Sequence, residues 1–285
     1  AESGIARRIG LYLINVSSGS ILSIVLSTTW TANILSPVIM SNTARGGLMA
    51  PIVKGVVDAI DSKPGDNKGG KTIFLANTII NVVNTNWVMT GLATNLIGLA
   101  LFEKFTHLTI SWLNWLVLGI PMLVLVVITP IIVYYMYRPV ESSENKIKVK
   151  EHAIEELKKM GPLTVKEKTA LSIFVFVLIL FVTDIWTKIP IGAIAILAMI
   201  LSILPKIGII EASKATKVVE WPVILWLGAA ISIANVAASE KVFTFLGNFL
   251  LVHSGIVKMG VVVFAIVLTI LVSFCYWWPI IGIWK

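Results

Sequence analysis

The residues best suited to chemistry form a polar run inside apolar sequence, Ser41-Asn42-Thr43-Ala44-Arg45-Gly46-Gly47, with Pro37 just ahead of it. Ser, Asn and Thr are favoured helix N-caps because their side-chain oxygens accept the free amides of a first turn. A helix restarting at Ser41–Thr43 aims unpaired N–H groups and the positive end of its dipole outward, which suits a carboxylate. This is binding chemistry, with no covalent step, so no enzyme is expected. The alternative is a capped surface turn between two short helices. Arg45 is the costly member: an arginine at mid-bilayer depth costs about 2.5–3.5 kcal/mol on insertion scales. It either pairs with a substrate carboxylate or snorkels to a cytoplasmic cavity.

A second interruption, Thr90-Gly91-Leu92-Ala93-Thr94-Asn95, falls inside the apolar stretch 72–105. It breaks one helix into two halves, with Thr94 or Asn95 capping the second. Asn77, Asn81 and Thr85 recur every fourth residue in the first half, with Asn84 adjacent. They make one polar stripe on an apolar helix, which must face protein or water rather than lipid. Hydrogen bonding between helices alone also explains such a stripe.

Other candidates carry less. Gly65-Asp66-Asn67-Lys68-Gly69-Gly70-Lys71-Thr72 fits the phosphate-loop pattern G-x-x-x-x-G-K-[ST]. That loop needs a preceding buried strand, whereas here an apolar helix follows and no strand–helix alternation surrounds it. A cytoplasmic turn is the expectation, and an ATP-driven membrane protein the remote alternative. The three histidines (His107, His152 and His253) lie far apart without metal-ligand spacing. The single cysteine, Cys275, excludes an internal disulfide. Asp184 reads as an interfacial cap, and Asn235 and His253 as structural polar groups.

These motifs need apolar elements around them. Of 285 residues, 57% are hydrophobic and 13% charged, about half the charge of a soluble domain. The apolar residues come in blocks long enough for membrane helices: 108–137, 170–185, 189–204, 222–238 and 260–276. Trp112, Trp115, Trp186, Trp221 and Trp226 mostly sit at span ends, as interfacial belts require. The net charge of +8 does not form a groove with stacking aromatics, so nucleic-acid binding is not expected.

The basic residues instead sort by side of the membrane. Arg7 and Arg8, the lysines of 54–71, Arg138 with the lysines of 146–168, and Lys206, Lys214 and Lys217 share one side if the chain enters and leaves the bilayer on that side between Arg8 and Lys54. Only Lys104, Lys188, Lys241 and Lys258 then lie opposite. This parity predicts a re-entrant hairpin, with 21–40 running in and 44–60 running out, and six crossings from residue 71 onward. An all-α polytopic membrane protein follows, with four segments. Residues 1–60 form an interfacial arm and hairpin; 61–138 a broken helix and the following span. Residues 139–167 form a cytoplasmic loop with a solvated helix over 152–160; 168–285 begin a second repeat.

The run Ser41–Arg45 with Gly46-Gly47 and Pro51-Ile52-Val53 behind it, Arg7-Arg8 upstream, and Lys63-Pro64-Gly65-Asp66 after the hairpin carry a family resemblance. So do Met89–Leu96 and Trp221–Gly228. The chain resembles the divalent anion:sodium symporter family, in the branch of bacterial citrate/succinate antiporters and plastid-type 2-oxoglutarate/malate translocators. The resemblance covers most of the chain to about Val272. It implies a multi-pass, usually homodimeric, elevator-type transporter of the bacterial inner membrane, built from inverted repeats. It implies an antiporter of 2-oxoglutarate, malate, succinate or citrate, or alternatively a sodium-coupled dicarboxylate symporter. Carboxylate contacts fall on Ser41, Asn42, Thr43 and Arg45 from the hairpin, and on Thr90, Ala93, Thr94 and Asn95 from the broken helix. An ion site falls on Ser41, Asn42 and Gly91. No cofactor is implied beyond sodium, and the partners are small carboxylates and the lipid bilayer.

Two departures stand out. Pro37 occupies the place of a serine that helps hold sodium in the coupled branch, which favours exchange. The second repeat's hairpin should follow Val272, but the chain runs on through Phe274-Cys275-Tyr276-Trp277-Trp278-Pro279 instead. With Ala1-Glu2-Ser3-Gly4 reading like mid-sequence, the expectation is a truncated chain holding half of the site. A structural or assembly subunit is the remaining alternative.

Overall fold

Short polar caps punctuate the apolar sequence and decide where helices begin. Ser20, Ser41, Ser111 and Ser142 each accept a first-turn amide, and Thr164 does so in a reciprocal box with Glu167. The computed structural model describes residues 3–83, 86–205, 208–211, 213–214, 221–242, 244–245, 248–249, 266 and 269–270. Every regular element among them is helical. The chain divides into two units, Ala1–Lys217 and Val218–Lys285.

The first unit carries α1 (Ile5–Val16), α2 (Ile21–Leu35), α3 (Asn42–Ala59) and α4 (Gly70–Val83). After a 3-10 turn at Met89–Gly91 come α5 (Ala93–Thr106), α6 (Trp112–Tyr137), α7 (Ser143–Met160), α8 (Val165–Val182), α9 (Asp184–Thr187) and α10 (Ile191–Ile203). The second unit carries α11 (Trp221–Ser239). Helices thus stand where spans are expected at 170–185, 189–204 and 222–238. The span expected at 260–276 lies outside the described residues except at 266, 269 and 270. Among the described residues α6 alone is long and apolar enough to cross a bilayer, with mean hydropathy 2.9. At about 1.5 Å per residue it exceeds the hydrocarbon thickness of about 30 Å.

Two apolar clusters hold the first unit together. Leu11 of α1, Val25 of α2, Val53 of α3, Ile73 of α4, Val133 of α6 and Val149 of α7 share the larger one. The smaller gathers Val88, Met89, Trp112, Val177, Phe181 and Ile194 around the interruption between α4 and α5. Each such large side chain contributes about 1.5–3 kcal/mol on burial.

The loop helix differs from expectation. It starts at Ser143 rather than 152, and Val149 and Ala153 are fully buried. Its five lysines and four glutamates suggest a solvated helix, but its two small apolar positions four residues apart form a stripe that docks on α1 and α3. The residues just ahead of α7 tie to the start of α2 and to the turn between α3 and α4. Glu141 accepts the amide of Ile21 at 3.2 Å, and Asn67 exchanges bonds with the carbonyl of Arg138 and the amide of Val140. Gly19, at φ +77°, lies so close to α7 that a Cβ there would sit 2.6 Å from the Lys146 carbonyl. Arg8 reaches from α1 to Glu167 at 2.8 Å and to the Gly161 carbonyl. That ion pair holds the Glu167 carboxyl below the usual range, helped by the Thr164 amide.

Candidate functional site

Six residues, 36–41, join α2 to α3, and the interruption between α4 and α5 lies against them. Irregular backbone between helices needs hydrogen bonds from elsewhere in the protein, and several are supplied across the two interruptions. The Ala93 amide donates to the Met40 carbonyl at 3.2 Å, joining the two interruptions through main chain. Trp115 donates its indole N–H to the Asn86 carbonyl at 3.1 Å, and Asn95 reaches the Val88 carbonyl at 3.3 Å. Trp112 donates to the Thr90 hydroxyl at 3.2 Å, and Trp87 donates to Asn33 of α2 at 2.7 Å.

Arg45 is the centre of this arrangement. Its side chain is fully buried, and its guanidinium donates to the Gly91 carbonyl at 2.9 Å, the Ile39 carbonyl and Asn42 Oδ1. Nε makes a longer bond of 3.4 Å to Asn81 Oδ1. Arg45 is thus held by protein acceptors at the two interruptions. The reason is local. The two interruptions supply carbonyls that no helix uses, and a five-donor guanidinium satisfies several at once. None of its partners is a carboxylate, so its charge is uncompensated by the protein groups it touches.

Asn81, one residue of the expected stripe, is buried and donates to the Asn42 carbonyl at 2.8 Å. Asn77 is half-buried without a bond among the described residues. Asn84 and Thr85 lie outside the described residues.

The expected contact residues sort by exposure. Thr43 and Thr94 are exposed, Ser41, Asn42, Ala93 and Asn95 are half-buried, and Thr90 and Gly91 are fully buried within the interruption. Ser41 caps α3, spending its hydroxyl on the Ala44 amide at 3.2 Å. Neither Thr94 nor Asn95 caps α5. Leu92 takes that position and offers no side-chain acceptor. Among the described residues, the amides of Asn42, Thr43 and Thr94 have no hydrogen-bond acceptor. Two helix starts with open donors thus lie side by side. A cavity of about 670 Å³ between α1, α3 and the start of α8, lined by Arg7, Gly47, Pro51 and Lys166, includes none of these residues.

Several positions escaped sequence reading. Trp112 is buried in the smaller core, stacked on Phe181 at 5.9 Å, rather than in an interfacial belt. Trp186 and Trp221 are exposed, as a belt requires. Asn33 and Trp87 also went unnoticed; a lone Asn in apolar α2 was the available signal for one of them. Asp184 does act as a cap, though of α6, accepting the Trp112 amide at 2.6 Å from far along the chain.

The loop resembling a phosphate cradle is filled by its own side chains. Asp66 accepts the amides of Lys63 and Lys68 and the Ser62 hydroxyl. Ser62 in turn accepts the Gly70 amide. These bonds, the Lys63 amide first, hold the Asp66 carboxyl below its ordinary range. Lys71 lies 4.7 Å from the Tyr137 ring centre instead of facing the loop.

A helical bundle with two packed interruptions and open helix starts is the architecture of a membrane transporter. The chain belongs to the family described as the sodium:sulfate symporter transmembrane region, whose pattern matches residues 1–279. It is 29% identical over 252 residues to the inner membrane protein YbhI of Escherichia coli K12, covering 86% of this chain and 52% of that protein. It is 28% identical over 256 residues to the L-tartrate/succinate antiporter of the same strain, covering 87% and 51%. The Shigella flexneri L-tartrate/succinate antiporter matches to the same extent. The chain spans about half the length of these relatives.

Proposed function

We propose that this chain forms the hairpin and broken-helix half of a carboxylate antiporter in the bacterial inner membrane, with small dicarboxylates such as succinate, tartrate, malate or 2-oxoglutarate as cargo. One observation carries the reading: the starts of α3 and α5 meet at the bond between Ala93 and Met40, with a buried, carboxylate-free Arg45 behind them. Open amides of Asn42, Thr43 and Thr94 supply donors to a carboxylate, and each helix start carries about half a positive charge. Arg45 acts as fixed background charge for a dianion. The α2–α3 pair is then the re-entrant hairpin, with its tip at mid-depth and its roots on the cytoplasmic side.

Exchange is favoured over sodium symport. Asn42 Oδ1 and the Gly91 carbonyl, both placed by resemblance at an ion site, are engaged by the Arg45 guanidinium. A tethered cation there removes the need for a mobile one. An empty carrier holding its own positive charge also has reason to return only with an anion bound, which is obligatory exchange. Counterflow in proteoliposomes tests the reading: labelled succinate should accumulate against unlabelled tartrate or succinate equally with sodium or with potassium. Uptake that requires sodium overturns exchange, and absence of any carboxylate flux overturns the transport assignment.

A further inference from the structure

We infer that Asp184 and Trp112 are positioning residues that set the conformation of the break ahead of α5, acting at a distance from the exposed helix starts. The inference rests on the substrate reading only in naming what the break serves.

Trp112 is the first residue of α6 and is fixed at three points. Its main-chain N–H donates to Asp184 Oδ2 at 2.6 Å, its ring stacks on Phe181 of α8, and its indole N–H reaches Thr90 Oγ1 at 3.2 Å. Asp184 and Trp112 are more than nine-tenths buried, and Phe181 and Thr90 almost wholly so. The other carboxylate oxygen, Asp184 Oδ1, is buried without a partner among the described residues. A carboxyl group with one oxygen buried and unpartnered is costly, so its place at a helix start where Ser111 takes the Asn114 amide needs a reason beyond accepting one more amide.

The geometry supplies one. Thr90 precedes Gly91, whose carbonyl receives Arg45, and lies two residues ahead of the Leu92 cap of α5. An indole N–H anchored from α8 and α9 therefore fixes the break at Thr90, one residue before the carbonyl that Arg45 holds. The break is held by a cation from α3 and by a donor whose aim is set by a carboxyl group from α9. Loosening either clamp misplaces the Thr94 amide without touching it.

Hydrogen–deuterium exchange of the segment 88–95, in the protein reconstituted in nanodiscs, reads this directly. Trp112→Phe keeps the ring on Phe181 and removes only the donor. Thr90→Val removes only the acceptor. Each should speed exchange of 88–95 about fivefold, the size of one net hydrogen bond, and the double variant should go no further. Thr90→Ser should behave like the wild type. Asp184→Ala should reproduce the effect at 88–95, with little added in the Trp112→Phe background. In succinate exchange, these variants should raise KM several-fold with turnover retained. Unchanged exchange at 88–95 in the single variants, or effects that multiply in the doubles, overturns the inference. If 88–95 respond as stated while the wild-type protein moves no carboxylate, the positioning role stands and the substrate assignment fails.

Discussion

The guanidinium of Arg45 on α3 donates to the carbonyl of Gly91 across 2.9 Å, joining the start of α3 to a helix break 46 residues further along the chain. The contact explains how two stretches of irregular backbone persist in an apolar bundle. Each would leave carbonyls unpaired alone, and one buried side chain satisfies both.

Replacing Arg45 should therefore damage the structure before it damages ligand contact. Arg45→Ala strands four acceptors, each worth about 1–3 kcal/mol when left unmade, and should lower thermal stability strongly in detergent. Arg45→Lys keeps the charge but not the fork. It should fold, with carboxylate affinity reduced at least about tenfold. Calorimetry and exchange assays on the two variants separate the roles.

Gly119 of α6 lies against the break so closely that a Cβ would sit 2.3 Å from the Trp87 carbonyl oxygen. That neighbour is backbone and cannot step aside. Gly119→Ala should cost about 1–3 kcal/mol of stability, typical of overpacking, and should slow transport by shifting the break. Gly47, with open space around it, is the control: Gly47→Ala should fold with stability close to wild type.

The Arg8–Glu167 pair makes a pH prediction. The Glu167 carboxyl is held below its ordinary range by Arg8 first and the Thr164 amide after it. A depressed folded-state pKa adds stability that is fully present above the unfolded value of about 4.3. That stability is lost as pH falls through the folded value. Melting temperature should drop more steeply with acid below about pH 4.5 in the wild type than in Glu167→Gln, which should be less stable at neutral pH.

The loop at 65–72 predicts a negative result. Its inward amides are taken by Asp66 and Ser62, and Lys71 packs on Tyr137. Lys71→Ala should leave carboxylate exchange within about twofold, and ATP should not protect Lys71 from amine-reactive labelling. Asp66→Ala, which opens the turn, should increase proteolysis between α3 and α4.

Much of this arrangement was legible in the sequence because polar residues inside apolar runs have few places to go. The polar run at 41–45 and the Thr90–Asn95 interruption stand out on composition alone, and Ser41 is the cap its type suggests. Partners across the fold were not legible. Nothing local says that Arg45 meets Gly91, or that Trp112 turns inward to Thr90 while Trp186 stays exposed. The docking of α7 was hidden for a related reason: two small apolar residues among many charges bury little area, yet they suffice when another helix already presents a groove.

Protection of cysteines at the two helix starts tests the central claim most directly. With Cys275 replaced by serine, Thr43→Cys and Thr94→Cys would each be titrated with a membrane-impermeant maleimide at increasing succinate. If both starts hold one carboxylate, the two positions should be protected at the same succinate concentration, in potassium as in sodium, with a cysteine at exposed Lys54 unaffected. Protection at one position alone, or at neither in a protein that still exchanges succinate, would contradict a shared site.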